Sequence, residues 1–379
     1  MGGNEISYVN EAYETNWIAP LGPNVDGFEK DIQVFIDIKH AAALSSGTAA
    51  LHLALLLADV QAGDYVICQS MTFSASANPI AYLGAQPVFV DSEVDTWNMS
   101  PQFLEEAIRA CLSGKMKCLG STDFLPAKKP KAIIPVHLYG MPANMNSIVA
   151  IAKKYNIPII EDAAESLGSK YKEKSTGTFG EMGILSFNGN KIITTSGGGA
   201  LISDSEELVL RARFLSTQAR DDAPHYQHSQ IGYNYRMSNI LAGIGRGQME
   251  VLGDRVKQRR AINSWYRSFI EGKEGIVFQS EPDNHYFSNY WLTAIIIDPI
   301  ISGISSEELR IKLLEDNIES RPLWKPMHLQ PVFRSAPYFG GGVSDLLFAN
   351  GLCLPSGSNL SIDQKQRIES IFNRILHFS

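Results

Sequence analysis

Short apolar segments alternate with helix-like segments between residues 41 and 162 of the chain. Residues 65–68 and 132–136 are two of the apolar segments, and residues 101–113 and 145–155 are two of the helix-like ones. Strands that alternate with helices build a largely parallel sheet with helices on both faces. Because such crossovers are right-handed, the carboxyl ends of the strands meet at one edge of the sheet. The sequence therefore predicts an α/β fold with a ligand site at that edge.

The pattern changes in the second half of the chain. Residues 237–271 contain few helix breakers and predict one long helix that bridges two domains. The remainder has fewer parallel-strand signals and ends in a predicted helix at 362–376. We therefore predict a large domain at residues 1–245, with an N-terminal arm and a mostly parallel central sheet, and a smaller α+β domain at residues 246–379. Three consecutive glycines at 340–342 predict a flexible loop.

The composition argues against several classes of protein. The 379 residues carry a net charge of −7, which does not favour nucleic-acid binding. The cysteines and histidines lack metal-ligand spacing, so we predict no metal site, and four cysteines are too few for a disulfide scaffold. The start of the chain does not resemble a signal peptide, and no apolar run approaches the ~20 residues that span a bilayer. We therefore expect a cytoplasmic protein without a membrane partner.

Two ionisable residues follow apolar segments that predict buried strands. Asp162 follows residues 157–160, and Lys191 follows residues 183–187 and precedes two isoleucines. A lysine beside apolar residues is partly desolvated, which favours its neutral amine and Schiff-base chemistry. An acid for a pyridinium nitrogen and a lysine for an aldehyde are the two protein groups that pyridoxal phosphate requires. Taken singly, each is better explained as a strand-end acid or a surface lysine.

A glycine-containing turn precedes a predicted helix at residues 45–48. Gly47 and Thr48 would present N–H groups at a helix N-terminus, where anions are favoured, and Gly47 would allow a close approach of the backbone. Ser186, in a polar glycine-containing turn after another predicted strand, could bind the same anion. The alternative for the turn is a plain helix cap, because serine and threonine are common there for that reason alone. The turn matches neither a P-loop nor a dinucleotide-binding turn.

Four further stretches have a possible role in binding, each with a structural alternative. Phe73 follows a strand and could stack on a flat ring, or it could belong to the core. His137 lies at the same predicted edge, where a lone histidine is more often structural. Residues 233–236 are either a polar aromatic site or a loop with a cap. Residues 321–328 could grip a phosphorylated substrate through Arg321 or form a rigid interdomain loop.

Taken together, these stretches resemble the DegT-type family of sugar aminotransferases, which have the fold-type-I architecture of aspartate aminotransferase. The resemblance runs nearly from end to end. It is carried by Ser-Gly-Thr-Ala-Ala-Leu at 46–51, Gly-Ala-Gln-Pro-Val-Phe-Val-Asp at 84–91, His-Leu-Tyr-Gly at 137–140, Glu-Asp-Ala-Ala-Glu at 161–165, Ser-Phe-Asn-Gly-Asn-Lys at 186–191 and Gly-Tyr-Asn-Tyr-Arg-Met-Ser at 232–238. Members of the family usually begin several residues earlier, so we expect a short N-terminal segment to be missing.

The resemblance implies a pyridoxal 5'-phosphate enzyme with named roles. Lys191 would hold the cofactor and shuttle a proton, and Asp162 would pair with the pyridine nitrogen. Glu165 would meet the phenolic oxygen, where many relatives have Gln or His. The other implied cofactor-binding residues are Gly47, Thr48 and Ser186 at the phosphate, Phe73 on the ring, and Asn234 reaching the phosphate from the partner subunit of a homodimer. We also predict that Trp17, His137, Arg321 and His328 contact the substrate.

Residues 190–199 and 321–325 are similar to those of the subgroup that aminates C4 of UDP-linked 4-keto-6-deoxy-N-acetylglucosamine in bacillosamine and exopolysaccharide pathways. The resemblance implies transfer of the amino group of L-glutamate to that ketone. Other nucleotide keto sugars, including C3, GDP-linked and dTDP-linked ones, remain alternatives. A sugar dehydratase of the same fold typically has histidine in place of Lys191, and a non-catalytic regulator would be expected to lack Lys191 or Asp162. The missing glycine fingerprint argues against a nicotinamide oxidoreductase.

Overall fold

A computed structural model describes residues 1–376 of the chain. The strands are β1 His40–Leu44, β2 Tyr65–Gln69, β3 Gln86–Val90, β4 Ala132–Ile134, β5 Ile160–Asp162, β6 Lys170–Tyr171, β7 Lys174–Ser175, β8 Met182–Ser186, β9 Gly199–Ser203, β10 Ile276–Phe278, β11 Tyr286–Phe287, β12 Thr293–Ile297, β13 Arg321–Pro322, β14 Tyr338–Phe339 and β15 Gly351–Leu354. The helices are α1 Glu5–Glu14, α2 Pro23–Ile36, α3 Gly47–Leu57, α4 Asn78–Tyr82, α5 Pro101–Ser113, α6 Met145–Tyr155, α7 Glu206–Ser216, α8 Asn239–Met249, α9 Leu252–Ile270, α10 Pro299–Ser302, α11 Ser306–Glu315, α12 Val343–Asn350 and α13 Ile362–Leu376.

The central sheet has the strand order β14-β3-β2-β4-β5-β8-β9-β1. Strands β14 to β4 pair in parallel, β5 pairs in parallel with β8, and two parallel bridges, Ile133 to Ile159 and Val136 to Asp162, join β4 to β5. Strand β9 runs antiparallel to both of its neighbours, β8 and β1. The prediction of a mostly parallel sheet in a fold-type-I architecture is confirmed.

Helices cover both faces of this sheet, as its continuous apolar strands require. Along β2, Ile67 packs in the same core as α5 and α6, whereas its neighbours Val66 and Cys68 pack in the core that contains α3 and α7. Successive side chains of a strand point to opposite faces, so a run of apolar residues is buried on both sides. Because both faces are covered, a ligand reaches this sheet at its edge.

A second, antiparallel sheet has the order β10-β12-β15-β13 and lies in the C-terminal part of the chain. Helices α9, α11 and α13 pack on it through Tyr266, Leu309 and Phe372, which are all buried. A small third sheet joins β11, β6 and β7. Within residues 1–376, none of the helices is both long enough and apolar enough to cross a membrane.

The predicted single helix at 237–271 is wrong, because the structure has two helices there. Helix α8 packs on α1 and α2 through glycines, and a Cβ atom at Gly245 would lie 2.7 Å from the ring of Phe28. Helix α9 instead packs on the C-terminal sheet. The chain breaks between Met249 and Leu252 because the two halves face different partners.

The predicted domain boundary between residues 245 and 246 falls inside α8. The division stays a prediction, and residues 377–379 of the predicted small domain lie outside the described part. Strand β14, which lies far beyond residue 245, pairs with β3 at the edge of the central sheet. A single cut at this point therefore does not separate the two sheets.

The three glycines at 340–342 do not form the free loop that we predicted. The carboxylate of Asp91, directly after β3, accepts hydrogen bonds from the N–H groups of Gly341, Gly342, Val343 and Ser344 at distances of 2.8–3.0 Å. A carboxylate at a helix N-terminus satisfies donors that have no partner within the helix. Asp91 thereby fastens the start of α12 to the central sheet.

Candidate active site

A cavity of about 790 Å³ opens at the carboxyl edge of the central sheet. On the side we call the sheet side, it is lined by residues that follow β1, β2, β5 and β8. On the side we call the C-terminal side, it is lined by Arg259 of α9, Trp291 and Leu292, residues 319–322, Trp324, and residues 353–357. Eight of the predicted site residues line it: Gly47, Thr48, Phe73, Asp162, Glu165, Ser186, Lys191 and Arg321.

Asp162 ends β5, and its carboxylate is fixed by two donors. Ser76 donates its hydroxyl to Oδ2 (2.6 Å), and the Ala164 N–H donates to Oδ1 (3.1 Å). The Ser76 hydroxyl is 2.6 Å from that of Thr72, so a short chain of hydroxyls leads to the acid. The Asp162 side chain is nearly buried yet still borders the cavity. An oriented carboxylate of this kind can pair with a cationic ring nitrogen.

Lys191 lies in the turn after β8, and only 12% of its side chain is exposed. Its Nζ atom is 3.8 Å from Glu165 Oε1 and 4.3 Å from the centre of the Trp291 ring. The indole N–H of Trp291 donates to the carbonyl of Asn190 (2.8 Å), which fixes the turn beside the lysine. The amine is therefore held at the cavity wall by one carboxyl and one aromatic face.

Glu165 is a buried acid three residues after Asp162, and it borders the cavity. Burial raises its pKa to about 7, although the nearby Lys191 ammonium and a hydrogen bond from the Tyr139 N–H (2.7 Å) lower it. A carboxyl group with a pKa near neutrality can hold or release a proton under ordinary conditions. Glu165 is therefore a candidate for proton exchange beside Lys191.

The start of α3 forms a cradle for an anion. The N–H groups of Gly47 and Thr48 belong to the first helical turn and have no acceptor among residues 1–376. The hydroxyls of Thr48 and Ser186 border the same part of the cavity. A Cβ atom at Gly47 would lie 3.2 Å from Ser186 Cβ and would narrow this space. The turn also caps the helix, as the alternative interpretation proposed. The cap is Ser46, whose hydroxyl accepts a hydrogen bond from the Ala49 N–H.

An aromatic group links the two sides of the cavity. Phe73, which is 56% exposed, and Tyr139 both contact Trp324, with ring centres 5.5 and 5.1 Å apart. The Tyr139 hydroxyl accepts from the Trp324 N–H (2.9 Å), while its own N–H bonds to Glu165. Tyr139 has a left-handed backbone (φ 56°, ψ 17°), which is uncommon for a large side chain. Its hydrogen bonds tie the Glu165 position to the loop that carries Trp324.

Arg321 lies at the mouth of the cavity, as predicted for a substrate contact, but it is already paired. Its guanidinium forms an ion pair with Glu319, and the two side chains are 77% and 69% exposed. Exposed pairs of this kind are weak, so an incoming anion can compete for the arginine.

Two of the predicted substrate residues, His137 and His328, do not line the cavity, and their contact with the substrate stays a prediction. His137 is fully buried, with one ring nitrogen 3.0 Å from Glu161 Oε2 and the other accepting from the Ala143 N–H. His328 is buried between Ser70 and Asp345 and stacks on Tyr338. Both rings are fully engaged within the fold, which is the structural alternative noted for a lone histidine.

Trp17 and Asn234 are also absent from the cavity wall. Both residues are exposed, and Trp17 lies between α1 and α2. Asn234 was predicted to act on the site of a partner subunit, so its distance from the cavity of its own chain does not conflict with that role. Their roles stay predictions.

Sequence reasoning missed Ser76, Arg259 and Trp291, and it gave Trp324 no role in the site. Ser76 follows β2 closely and could have been found from the position of Phe73. The sequence does not distinguish Arg259 from Arg260, because the two arginines are adjacent in α9 and have the same chemistry. Trp291 belongs to the C-terminal part of the chain, and only the folded structure brings it to Lys191.

This set of side chains fits pyridoxal phosphate, the cofactor expected from the sequence. The donors at Gly47, Thr48 and Ser186 suit a phosphate, the carboxylate of Asp162 suits a ring nitrogen, and the amine of Lys191 suits an aldehyde. The absence of a Cβ at Gly47 leaves the room that a phosphate needs close to the backbone.

Comparison with known proteins agrees with this arrangement. Over 381 aligned residues, the chain is 50% identical to a Bacillus subtilis (strain 168) protein with the provisional name pyridoxal phosphate-dependent aminotransferase EpsN, covering 100% of this chain and 94% of that protein. It is 38% identical to the GDP-perosamine synthase of Escherichia coli O157:H7, and the alignment covers 96% of this chain and 93% of that protein.

A crystal structure of a DegT DnrJ EryC1 StrS aminotransferase from Brucella abortus superimposes with a TM-score of 0.87 at 29% identity, covering 98% of this chain and 95% of that one. The sequence model of the DegT/DnrJ/EryC1/StrS aminotransferase family matches residues 1–373 of this chain. The chain belongs to the DegT/DnrJ/EryC1/StrS aminotransferase family.

Proposed function

We propose that this chain transfers the amino group of L-glutamate to the C4 ketone of UDP-2-acetamido-2,6-dideoxy-hexos-4-ulose, giving a UDP-4-amino sugar for glycan biosynthesis. The chain is a pyridoxal phosphate-dependent sugar aminotransferase, as its family and relatives indicate. The observation that carries the proposal is the meeting of Lys191, Asp162 and the cradle at Gly47 in one cavity. The presence of both Lys191 and Asp162 favours an enzyme over a non-catalytic homologue.

Pyridoxal phosphate, when bound, supplies an electrophilic aldehyde and an electron-accepting ring. Asp162 would hold the ring nitrogen in its protonated form, and Ser76 would keep the Asp162 carboxylate in position. Thr48, Ser186 and the N–H of Gly47 would bind the phosphate.

Lys191 has two tasks in the proposed reaction. Its Nζ would first hold the cofactor covalently, and after the amino donor displaces it, the free amine would accept the proton from the donor Cα atom. Glu165, 3.8 Å away, would exchange a proton with the same region, since its pKa lies near 7. The close carboxyl and the Trp291 ring would hold the released amine near the reacting carbon.

The sugar in this proposal rests on the resemblance of residues 190–199 and 321–325 to the UDP-sugar subgroup. A second candidate substrate is a GDP-linked keto sugar, because a relative with 38% identity is named GDP-perosamine synthase. Arg321 at the exposed mouth would bind the diphosphate in either case.

We further propose that the enzyme works as a homodimer in the cytoplasm. Asn234 is exposed and outside the cavity of its own chain, as expected of a residue that completes a neighbouring site. The four cysteines are all free, which agrees with a reducing compartment.

The test is to incubate the enzyme with L-glutamate and a panel of UDP-, GDP- and dTDP-linked 3-keto and 4-keto sugars, and to identify the products by mass spectrometry. Amination of the UDP-linked 4-keto N-acetyl sugar in preference to the others is the expected result. Preferential amination of the GDP-linked sugar would replace the first candidate by the second. Lys191→Ala serves as the inactive control, and full activity in that variant would end the proposal.

A further inference from the structure

Gly140, which ends the sequence motif at 137–140, does not line the cavity but packs against one buried amide. Its backbone is left-handed (φ 98°), and a Cβ atom at this position would overlap the Oδ1 atom of Asn289. Glycine, which has no Cβ atom, allows this close approach. Asn289 lies between β11 and β12 and is fully buried. The turn at Gly140 is therefore shaped around the side chain of Asn289.

The amide of Asn289 holds two separate turns at once. Its Nδ2 group donates to the carbonyls of Glu165 and Leu167, both at 2.9 Å. Its Oδ1 atom accepts from the N–H of Trp291 (2.8 Å), which closes an Asx turn around the left-handed Tyr290 (φ 46°). Both donor hydrogens and an acceptor site of the amide are used, so the side chain has one fixed orientation.

These two turns carry the two groups that flank the amine of Lys191. Its Nζ atom lies 3.8 Å from Glu165 Oε1 and 4.3 Å from the centre of the Trp291 ring. Glu165 follows β5 of the central sheet, whereas Trp291 precedes β12 of the C-terminal sheet. Asn289 bonds to the backbone of both residues. It therefore fixes the distance between the carboxyl group and the ring, although the two belong to different sheets.

We propose that Asn289 is a positioning residue for the proton transfer from the Cα atom of the amino donor to the amine of Lys191. By joining the turns of Glu165 and Trp291, it keeps the amine confined between the carboxyl group and the ring. This role rests on the proposed function, since it requires Lys191 to accept that proton. Asn289 does not line the cavity, so it acts through these neighbours and not on the substrate. A displacement of about 1 Å at a reacting group can cost roughly a hundredfold in rate.

The half-reaction of the cofactor-loaded enzyme with L-glutamate alone, followed by cofactor absorbance, is the first test. In Asn289→Ala the rate at saturating L-glutamate should fall roughly tenfold to a hundredfold, because Lys191 is no longer held in line with the reacting carbon. The donor concentration that gives half of this rate should change by less than about threefold, since the lost amide does not contact the substrate.

The second test reads the enclosure of Lys191 in the cofactor-free protein. Only 12% of this side chain is exposed in the wild type. Acetic anhydride, which acylates free amines, should label Lys191 severalfold faster in Asn289→Ala, because the carboxyl group and the ring no longer enclose the amine. Peptide mass spectrometry measures this labelling relative to that of the exposed Lys170.

Asn263→Ala is the matched control. Asn263 is also a buried asparagine outside the cavity wall, with Nδ2 donating to the Thr293 hydroxyl (3.4 Å) and Oδ1 accepting from Arg267 Nε (2.9 Å). Loss of a buried amide leaves partners unsatisfied in both variants, so thermal unfolding should show that both are destabilised. Only Asn289→Ala should change the half-reaction and the labelling of Lys191.

Ser169→Ala replaces Asn289→Ala if the latter does not fold. The Ser169 hydroxyl accepts from the Asn289 N–H (2.9 Å) and donates to the Gly140 carbonyl (2.7 Å). Its loss leaves the amide of Asn289 in place but loosens its backbone. Both readouts should therefore change in the same direction as in Asn289→Ala, and by a smaller factor.

The proposal is overturned unless both readouts change. Equal losses in Asn289→Ala and Asn263→Ala would also overturn it, because they would mean a structural role only, and so would a higher donor requirement at an unchanged rate. If both readouts depend on Asn289 but no keto sugar is aminated, the proposed substrate fails and the positioning role stands. If Asn289→Ala aminates a keto sugar at the wild-type rate, the reverse holds.

Discussion

On the sheet side of the cavity, the acids already have their hydrogen-bond donors: Ser76 and Ala164 face Asp162, and the Tyr139 N–H faces Glu165. The carboxyl groups of the sheet side are therefore already oriented by hydrogen bonds within the protein, as precise catalysis requires. On the C-terminal side, the guanidinium of Arg321 has only an exposed partner, which an incoming anion can displace.

The largest effect should come from the sheet side. Lys191→Ala should lower turnover more than about a thousandfold, because both the covalent hold on the cofactor and the proton acceptor are lost. Borohydride reduction followed by peptide mass spectrometry should find the cofactor attached to residue 191 in the wild type only. Lys170→Ala, at an exposed position in β6, is the control and should keep full activity. Substantial turnover without Lys191 would remove the chemical role we give to this side.

The residues of the sheet side were largely predictable, and those of the C-terminal side were not. Lys191, Asp162 and Gly47 each follow a strand, so the alternation of strands and helices already places them at one edge. Arg259 differs from Arg260 only in which way it faces, and that depends on how α9 packs against the C-terminal sheet. The partners of His137 were not predictable either, because the sequence does not show that Glu161 and the Ala143 N–H lie against its two ring nitrogens.

A second test concerns the burial of Glu165. Its pKa is about 7 in the folded protein against 4.5 when unperturbed. Between these values the folded protein holds a proton that the unfolded chain has released. The resulting stability is fully present below pH 4.5 and is lost as the pH rises through 7, by about 3 kcal/mol.

Glu165→Gln should remove this pH dependence, since the amide does not ionise. Urea unfolding of the cofactor-free protein at pH 5 and pH 8 measures the difference between wild type and variant. Glu11→Gln, at an exposed position in α1, should show no such difference. If the free energy of unfolding changed equally with pH in wild type and Glu165→Gln, Glu165 would not be a buried acid that keeps its proton beside Lys191.

A smaller effect should follow from Ser76→Ala. Loss of the hydroxyl that bonds to Asp162 Oδ2 should lower kcat about tenfold, because a hydrogen bond to a charged group is lost, and should leave the KM for L-glutamate unchanged. The absorbance of the bound cofactor should shift as well, which a purely structural role would not cause. Ser74→Ala in the same turn is the matched control. A change in the KM for L-glutamate with kcat unchanged would mean that Ser76 acts in substrate binding.

The smallest effect should come from the mouth of the cavity. Glu319→Gln removes the partner of Arg321, and stability should change by less than about 1 kcal/mol because both side chains are largely exposed. The KM for the nucleotide sugar should fall or stay constant, since the arginine no longer has to leave a carboxylate. A clear rise in KM, measured at fixed L-glutamate, would mean that the pair itself recognises the substrate.

The fastening of α12 by Asp91, together with the pairing of β14 with β3, has a consequence for biosynthesis. These contacts join positions about 250 residues apart, so they form only when nearly the whole chain has left the ribosome. Until then the edge of β3 that faces away from β2 has open backbone groups, which other chains can pair with. The nascent chain therefore carries an aggregation-prone edge for most of its synthesis, and shortened products that end before residue 338 keep it permanently.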